Sequence, residues 1–306
     1  MADLVTTLGR IGAEDLGMVL PHEHVFVDLR TWDQPGYAEA DTTSVIAVMA
    51  PEVNRAKAAG VSAIVECSTV GVGRRADIDR AVSEATGLPL VVPTGIYREP
   101  WVPDWARDAA EDELHEWMLR ELTDEIAGTG VPAGWIKLGA GDDGLTSVEA
   151  KILRAAARAA KATGCVIGSH TVRGSVVRDQ LDIVERMGLP PDRFIWIHTQ
   201  AEAEVEIHIE LGRRGSWIEY DAIGSPEFDD QFFIERIERL LEAGLGGRLL
   251  LSQDRGSYDP AVPGGGTPRP YTYLTERFLP RLQAAGVGEA EIIRLTHRNP
   301  FDAFAW

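Results

Sequence analysis

Met18-Val19-Leu20-Pro21-His22-Glu23-His24 is a short apolar run that closes on two histidines one residue apart. In an extended strand, residues i and i+2 project from the same face. His22 and His24 therefore point into one space near the end of the run. Two neutral imidazoles converging in this way can hold a divalent cation. A His-x-His pair standing alone is more often surface decoration than a metal site. The pair gains meaning only if other ligands recur at equivalent places along the chain.

Working outward, the same kind of run returns at 61–67, 88–92, 134–138, 165–170, 194–198, 217–221 and 248–254. Between the runs lie stretches with helical spacing near 43–59, 77–86, 109–126, 147–163, 175–187, 202–213, 230–243 and 272–285. For the first helix, Thr42 or Thr43 offers an N-cap, Gly60 a stop, and Pro51 an interruption. Continuous apolar runs signify strands buried on both faces, as in parallel sheets covered by helices. Eight β/α units in a chain of 306 residues predict the α/β class and the (β/α)₈ TIM barrel. A doubly wound sheet is the rival, but the Gly-rich phosphate fingerprint after the first strand is missing. Short apolar pieces broken by Gly9, Gly12 and Gly17 predict a small N-terminal β-ribbon. No linker or composition shift divides the chain, so residues 1–306 are expected to form one domain. A stretch at 289–296 and a short tail complete it.

Composition narrows the partners. The formal net charge of -18 repels phosphate backbones and anionic membranes, so neither nucleic acid nor a membrane is an expected partner. No apolar run approaches the roughly 20 residues of a membrane helix, and no secretion signal is apparent at the N-terminus. Cys67 and Cys165 are the only cysteines, too few for a disulfide scaffold, and a reducing cytoplasm is the expected location.

Polar residues at the strand ends carry the chemistry. His22 and His24 close the first strand, Lys137 lies in the fourth, His170 closes the fifth, His198 the sixth and Asp254 the eighth. In a barrel of this type all C-terminal strand ends meet at one mouth, where active sites sit. Any one of these histidines is more readily a structural residue. Six metal-competent or reactive side chains at one mouth are not. The other three of the seven histidines, His115, His208 and His297, fall on or beside helices and are expected to be solvated or capping. Lys137 is flanked by Trp135, Ile136 and Leu138, and an apolar interior favours the neutral, nucleophilic amine. It could form a Schiff base with a carbonyl substrate, as in a barrel aldolase, or take up carbon dioxide to become a carbamate between two cations. A Schiff-base site has no use for four histidines and an aspartate, so the carbamate is preferred.

The segments HEH (22–24), WIKLGA (135–140), GSHT (168–171), IHTQ (197–200) and LSQD (251–254) together resemble the phosphotriesterase family of the amidohydrolase superfamily. The similarity takes in GIY (95–97) and EIIRLTHRNP (291–300), and so spans essentially the whole chain. The resemblance implies a binuclear site, with His22, His24 and Asp254 on one cation, His170 and His198 on the other, and carboxylated Lys137 bridging both. Two cations roughly 3.5–4 Å apart can share a hydroxide whose pKa is lowered to near neutral. That hydroxide would attack a carbonyl or phosphoryl centre, with Asp254 as proton acceptor. Imidazole and carboxylate ligands suit Zn²⁺, and also Mn²⁺, Co²⁺ or Fe²⁺.

Specificity is expected in the loops. Tyr97, after the third strand, is placed either to bind substrate or to lid the barrel with its ring. Trp101 and Trp105 are expected to pack their loop. The acyl-homoserine-lactone branch of the family usually carries an Arg just after the seventh strand, where this chain reads Tyr220-Asp221-Ala222. The loop after Asp254, with Ser257-Tyr258, the run Gly264-Gly265-Gly266 and Tyr271 to Leu274, is similar to the sugar-lactonase branch. Arg255, Tyr258 and Arg269 are the candidate substrate-binding residues. The expected partner is a small-molecule ester or lactone, foremost a sugar lactone, hydrolysed by a monomer or homodimer. Organophosphate triester hydrolysis is the alternative.

Overall fold

The computed structural model describes residues 2–306. An antiparallel ribbon opens the chain, β1 (Leu4–Thr6) on β2 (Gly9–Ile11), as the glycine turn signals predict. Then come β3 (Met18–Phe26), β4 (Val61–Glu66), β5 (Leu90–Val91), β6 (Pro93–Thr94), β7 (Trp135–Gly139), β8 (Ile167–His170), β9 (Phe194–Ile197), β10 (Trp217–Tyr220), β11 (Leu249–Leu251) and β12 (Gly256–Tyr258). Parallel pairing runs β12-β3-β4-β5 in one sheet and β6-β7-β8-β9-β10-β11 in the other. The two sheets are one wall at β5 and β6, which are separated by Val92 alone. At the other seam the ladder is interrupted. There the Asp254 N–H reaches His22 O at 3.3 Å, and Ser252 Oγ accepts the His22 N–H at 3.0 Å. The arrangement is the (β/α)₈ barrel.

Helices α1 (Thr42–Ala58), α2 (Ala76–Thr86), α3 (Asp104–Asp108), α4 (Glu111–Thr123), α5 (Ser147–Thr163), α6 (Gly174–Arg186), α7 (Val205–Arg214) and α8 (Asp230–Glu242) follow the strands. Asp41, not a threonine, caps α1, its carboxylate accepting the Ser44 N–H at 2.8 Å. Pro51 lies inside α1 without ending it. α9 (Leu279–Ala284) falls within the helix expected at 272–285, whereas the expected tail is instead helical, with α10 (Glu289–Ile293) and α11 (Asn299–Phe304) closing the chain. The α11 end plugs the barrel floor, where Phe304 meets Trp135 edge-on at 5.2 Å and the Trp306 indole donates to Gly134 O at 2.7 Å.

Burial follows strand alternation. Val19, Val65, Val91, Trp135, Val166, Ile195, Trp217 and Leu250 fill the barrel interior below the mouth. Leu20, Ile64, Leu90, Ile136, Ile167, Phe194, Ile218 and Leu249 face the helices. One break in this alternation matters for function. Val19 and His22 both face inward although they lie three residues apart. The register of β3 on β4 slips between Leu20 and Glu23, so that β3 spends one residue more than its partner. Pro21, which lacks an N–H for the ladder, sits in that bulge. The slip turns His22 and His24 into the barrel mouth.

Candidate active site

The mouth holds a cavity of about 430 Å³ lined by His22, His24, Lys137, His170, His198, Asp254 and Tyr97, among others. All six residues expected from the strand ends therefore meet in one space. The Asp254 carboxylate lies 3.1 Å from His24 Nε2 and 3.7 Å from His22 Nε2. His170 and His198 form a second pair, ring centroids 4.5 Å apart, and His22 lies 5.1 Å from His198. Lys137 is buried among them and lies 5.9 Å from the Trp135 ring centroid.

Two of these side chains sit on strained backbone. His198 has φ 62° and Asp254 φ 50°. A non-glycine residue in the left-handed region costs on the order of 1–3 kcal/mol and persists only where its surroundings enforce it. Each turn aims a side chain back across the mouth from just beyond a strand end.

Ligand and proton states follow from the neighbours. Burial, aided by Lys137, holds His22 well below the usual imidazole range, and burial and His198 do the same for His170. Both are neutral, as a metal ligand must be. Burial opposes charge on His24 too, but hydrogen bonds to Asp254 and Glu66 outweigh it and raise its pKa to about 9. Asp254 is driven the other way. Burial would raise it, yet the His24 hydrogen bond and His22 hold it well below the carboxylate range. His24 and Asp254 thus favour each other's charged form, and a divalent ion bound between them would take the place of the shared proton. The buried His22 Nδ1 and His170 Nε2 have no hydrogen-bond partner. Donor atoms of His22, His198 and Asp254 all lie within 4.8 Å of one another. The donor set fits divalent cations.

A supporting layer behind these residues escaped the sequence reading. Asp221 Oδ1 accepts from His198 Nδ1 at 2.7 Å, and its Oδ2 takes the His198 N–H at 2.8 Å. Gln200 donates to the same carboxylate at 2.6 Å. His24 Nδ1 meets Ser68 Oγ at 2.8 Å and Glu66 at 3.5 Å. Glu219, fully buried with both oxygens unpartnered, stands 3.6 Å from His22 Nδ1. Burial, followed by the charge of Asp221, pushes Glu219 well above the carboxylate range. Glu219 and Asp221 were visible as acids breaking an apolar run, two residues apart on one strand face.

The proposed substrate residues divide. Tyr97 lines the cavity, its hydroxyl 3.1 Å from His170 Nδ1, and its ring packs edge-on against Trp101. Arg269 lines the cavity as well. Arg255 and Tyr258 do not reach it. The Arg255 guanidinium bonds Gly224 O and lies 5.3 Å over the Tyr273 ring. Tyr258 stacks on Phe26 at 5.9 Å and is buried. For Tyr258 the cause is its place in β12, where it points away while its neighbours Ser257 and Asp259 face the cavity; Arg255 precedes that strand and is drawn off by the Gly224 carbonyl. Of the three remaining histidines, His115 and His297 are half-exposed, whereas His208 is buried, bonding Tyr220 Oη at 2.8 Å and Glu202 O at 3.0 Å.

The geometry agrees with known proteins. Residues 2–304 match the model of the Phosphotriesterase family. A phosphotriesterase homology protein of Mycobacterium tuberculosis is 31% identical, the match covering 98% of this chain and 97% of that one. An aryldialkylphosphatase of Saccharolobus solfataricus is 29% identical over 96% of this chain and 97% of its own. Among solved structures, a Deinococcus radiodurans PTE-like lactonase mutant superposes with a TM-score of 0.86 at 30% identity, covering 98% of this chain and 99% of that chain. No described helix is long and apolar enough to cross a membrane. The chain is a metal-dependent hydrolase acting on ester bonds. Its fold, its site and its similarity along nearly the whole length agree: it belongs to the phosphotriesterase family.

Proposed function

We propose that the enzyme opens lactones, with a sugar lactone as the favoured substrate and residues 1–306 acting as one catalytic domain. The carrying observation is the mixed lining of the cavity. Val27, Leu29 and Val72 contribute apolar surface, while Ser257, Asp259 and Arg269 supply hydroxyl, carboxylate and guanidinium groups from the loop after Asp254. A sugar lactone has a carbon-rich ring face and a hydroxylated edge, and so matches such a wall better than a simple acyl chain.

In this reading His22, His24 and Asp254 hold one cation and His170 and His198 another, with Lys137, carboxylated by carbon dioxide, shared between them. Zn²⁺ is the first choice for this ligand set. Bound cations would supply Lewis acidity and lower the pKa of water to near neutral. The chain's own groups do the rest. Asp254, held ionised beside His24, accepts the proton released on attack. Tyr97, pushed up to about 12 by burial, stays a neutral hydroxyl at working pH and can donate to the oxygen that gains charge. Arg269 anchors the hydroxylated edge.

A phosphotriester is the second reading. The aryldialkylphosphatase relative favours it, and the same attack on phosphorus needs no other machinery. A turnover panel of aldonolactones, phosphorylated lactones, acyl-homoserine lactones and an aryl phosphotriester separates the two, with His198→Ala as control. Fast turnover of an aldonolactone supports the first reading. Inert lactones with fast phosphotriester turnover overturn it.

A further inference from the structure

Glu23 lies between two ligand histidines and is itself fully buried, pointing away from the cavity. Its carboxylate is surrounded by donors, all from one segment of chain. Oε1 accepts from Ser252 Oγ at 2.9 Å, from the Gln253 N–H at 3.2 Å and from Gln253 Nε2 at 3.2 Å. Oε2 accepts the Arg255 N–H at 2.7 Å. The two peptide N–H groups it holds are those flanking Asp254, the residue at φ 50°.

The contact also reaches the substrate loop. Gln253 Nε2 donates to Tyr271 O at 2.7 Å, and its Oε1 accepts the Leu274 N–H at 2.7 Å. The Tyr271 hydroxyl in turn donates to His24 O at 2.6 Å. Both ends of the loop that carries Ser257, Asp259 and Arg269 are thereby tied to the strand segment 22–24. At this seam two main-chain bonds join the segments, Asp254 N–H to His22 O at 3.3 Å and His24 N–H to Arg255 O at 2.9 Å, and neither uses the Gln253 or Arg255 N–H that Glu23 takes.

We propose that Glu23 is a positioning residue for Asp254: it enforces the left-handed turn that aims Asp254 at His22 and His24, and through Gln253 it fixes the substrate loop to the same point. This rests on the reading that Asp254 is a cation ligand. It makes Glu23 more than a space-filling core residue. Its effect passes through Asp254, and it touches neither substrate nor cation.

The test is a double-mutant cycle on zinc affinity, measured by chelator competition with the full-length enzyme. Glu23→Gln keeps the size but sets an NH₂ against an N–H donor. It should weaken zinc binding on the order of 10- to 100-fold, the range for loss of a ligand's support. In an Asp254→Asn background the same change should have little further effect, because the ligand it positions is already gone. Equal losses in both backgrounds, or wild-type affinity in Glu23→Gln, overturn the proposal alone. A wild-type enzyme that takes up no zinc overturns the metal-centre reading and the proposal with it. Should Glu23→Gln not fold, hydrogen exchange of the segment 252–256 in the wild type decides. Slow exchange that slows further with zinc supports the proposal, and exchange as fast as the loop tip at 260–268 overturns it.

Discussion

Asp221 grips His198 twice, at the ring Nδ1 (2.7 Å) and at the peptide N–H (2.8 Å). The first contact fixes the tautomer, placing the proton on Nδ1 and leaving the Nε2 lone pair free for a ligand. The second helps hold the backbone at φ 62°. Asp221→Asn keeps the shape but loses one acceptor and the charge. It should lower cation affinity on the order of 10- to 100-fold, measured by chelator competition on the folded variant. Unchanged affinity would show that the His198 ring needs no such support.

Tyr97 is the only tyrosine lining the cavity among the described residues, with its hydroxyl beside His170. Tyr97→Phe should reduce lactone kcat on the order of 100-fold if the hydroxyl stabilises developing charge, with cation content unaltered. An unchanged kcat would reduce Tyr97 to the aromatic lid that its packing on Trp101 also permits.

Gly95 approaches the strand that carries Lys137. At φ 111° it occupies a conformation that side chains avoid, and a Cβ there would run into the Lys137 carbonyl oxygen. Gly95→Ala should therefore destabilise the protein by roughly 3 kcal/mol or more, strain and displacement acting together. Urea unfolding of the metal-free protein measures this. A cost below about 1 kcal/mol would mean that β7 can shift freely, which a fixed site could not tolerate.

His208 gives stability a pH dependence of defined sign. Burial lowers its pKa from 6.5 to about 4, so the unfolded chain binds a proton in that window and the folded protein does not. Stability is complete above pH 6.5, falls as pH drops toward 4, and the loss is at most roughly 3 kcal/mol. His208→Gln should lose less thermal stability than the wild type between pH 7 and pH 5. Parallel curves would contradict the assignment.

What was legible in the sequence divides by chemistry. Buried parallel strands leave continuous apolar runs, and a histidine or aspartate ending such a run stands out. The barrel, the ribbon and the six mouth residues could therefore be read directly. The β3 bulge at Pro21 was invisible, since the pattern of apolar residues does not show which face the extra residue takes. His208 departs from expectation because its helix is polar overall, and the Tyr220 hydroxyl and Glu202 carbonyl that satisfy its buried ring leave no mark in the local pattern. Arg255 and Tyr258 suggested a pocket by residue type. The short strand β12 turns Tyr258 away and Ser257 and Asp259 inward, and the Gly224 carbonyl takes the Arg255 guanidinium. Glu219 and Asp221 leave a trace, as acids two residues apart in an apolar run, but not of what they do; they and Glu23 work on other side chains, and spacing does not show which.

The central claim is a two-cation centre that performs ester hydrolysis. The most direct test is a titration of metal-free enzyme with Zn²⁺ in the presence of bicarbonate, following bound metal and aldonolactone turnover together. The account predicts that activity rises to a plateau at about two equivalents per chain. Saturation at one equivalent or fewer, or lactone turnover that survives complete removal of metal, would contradict it.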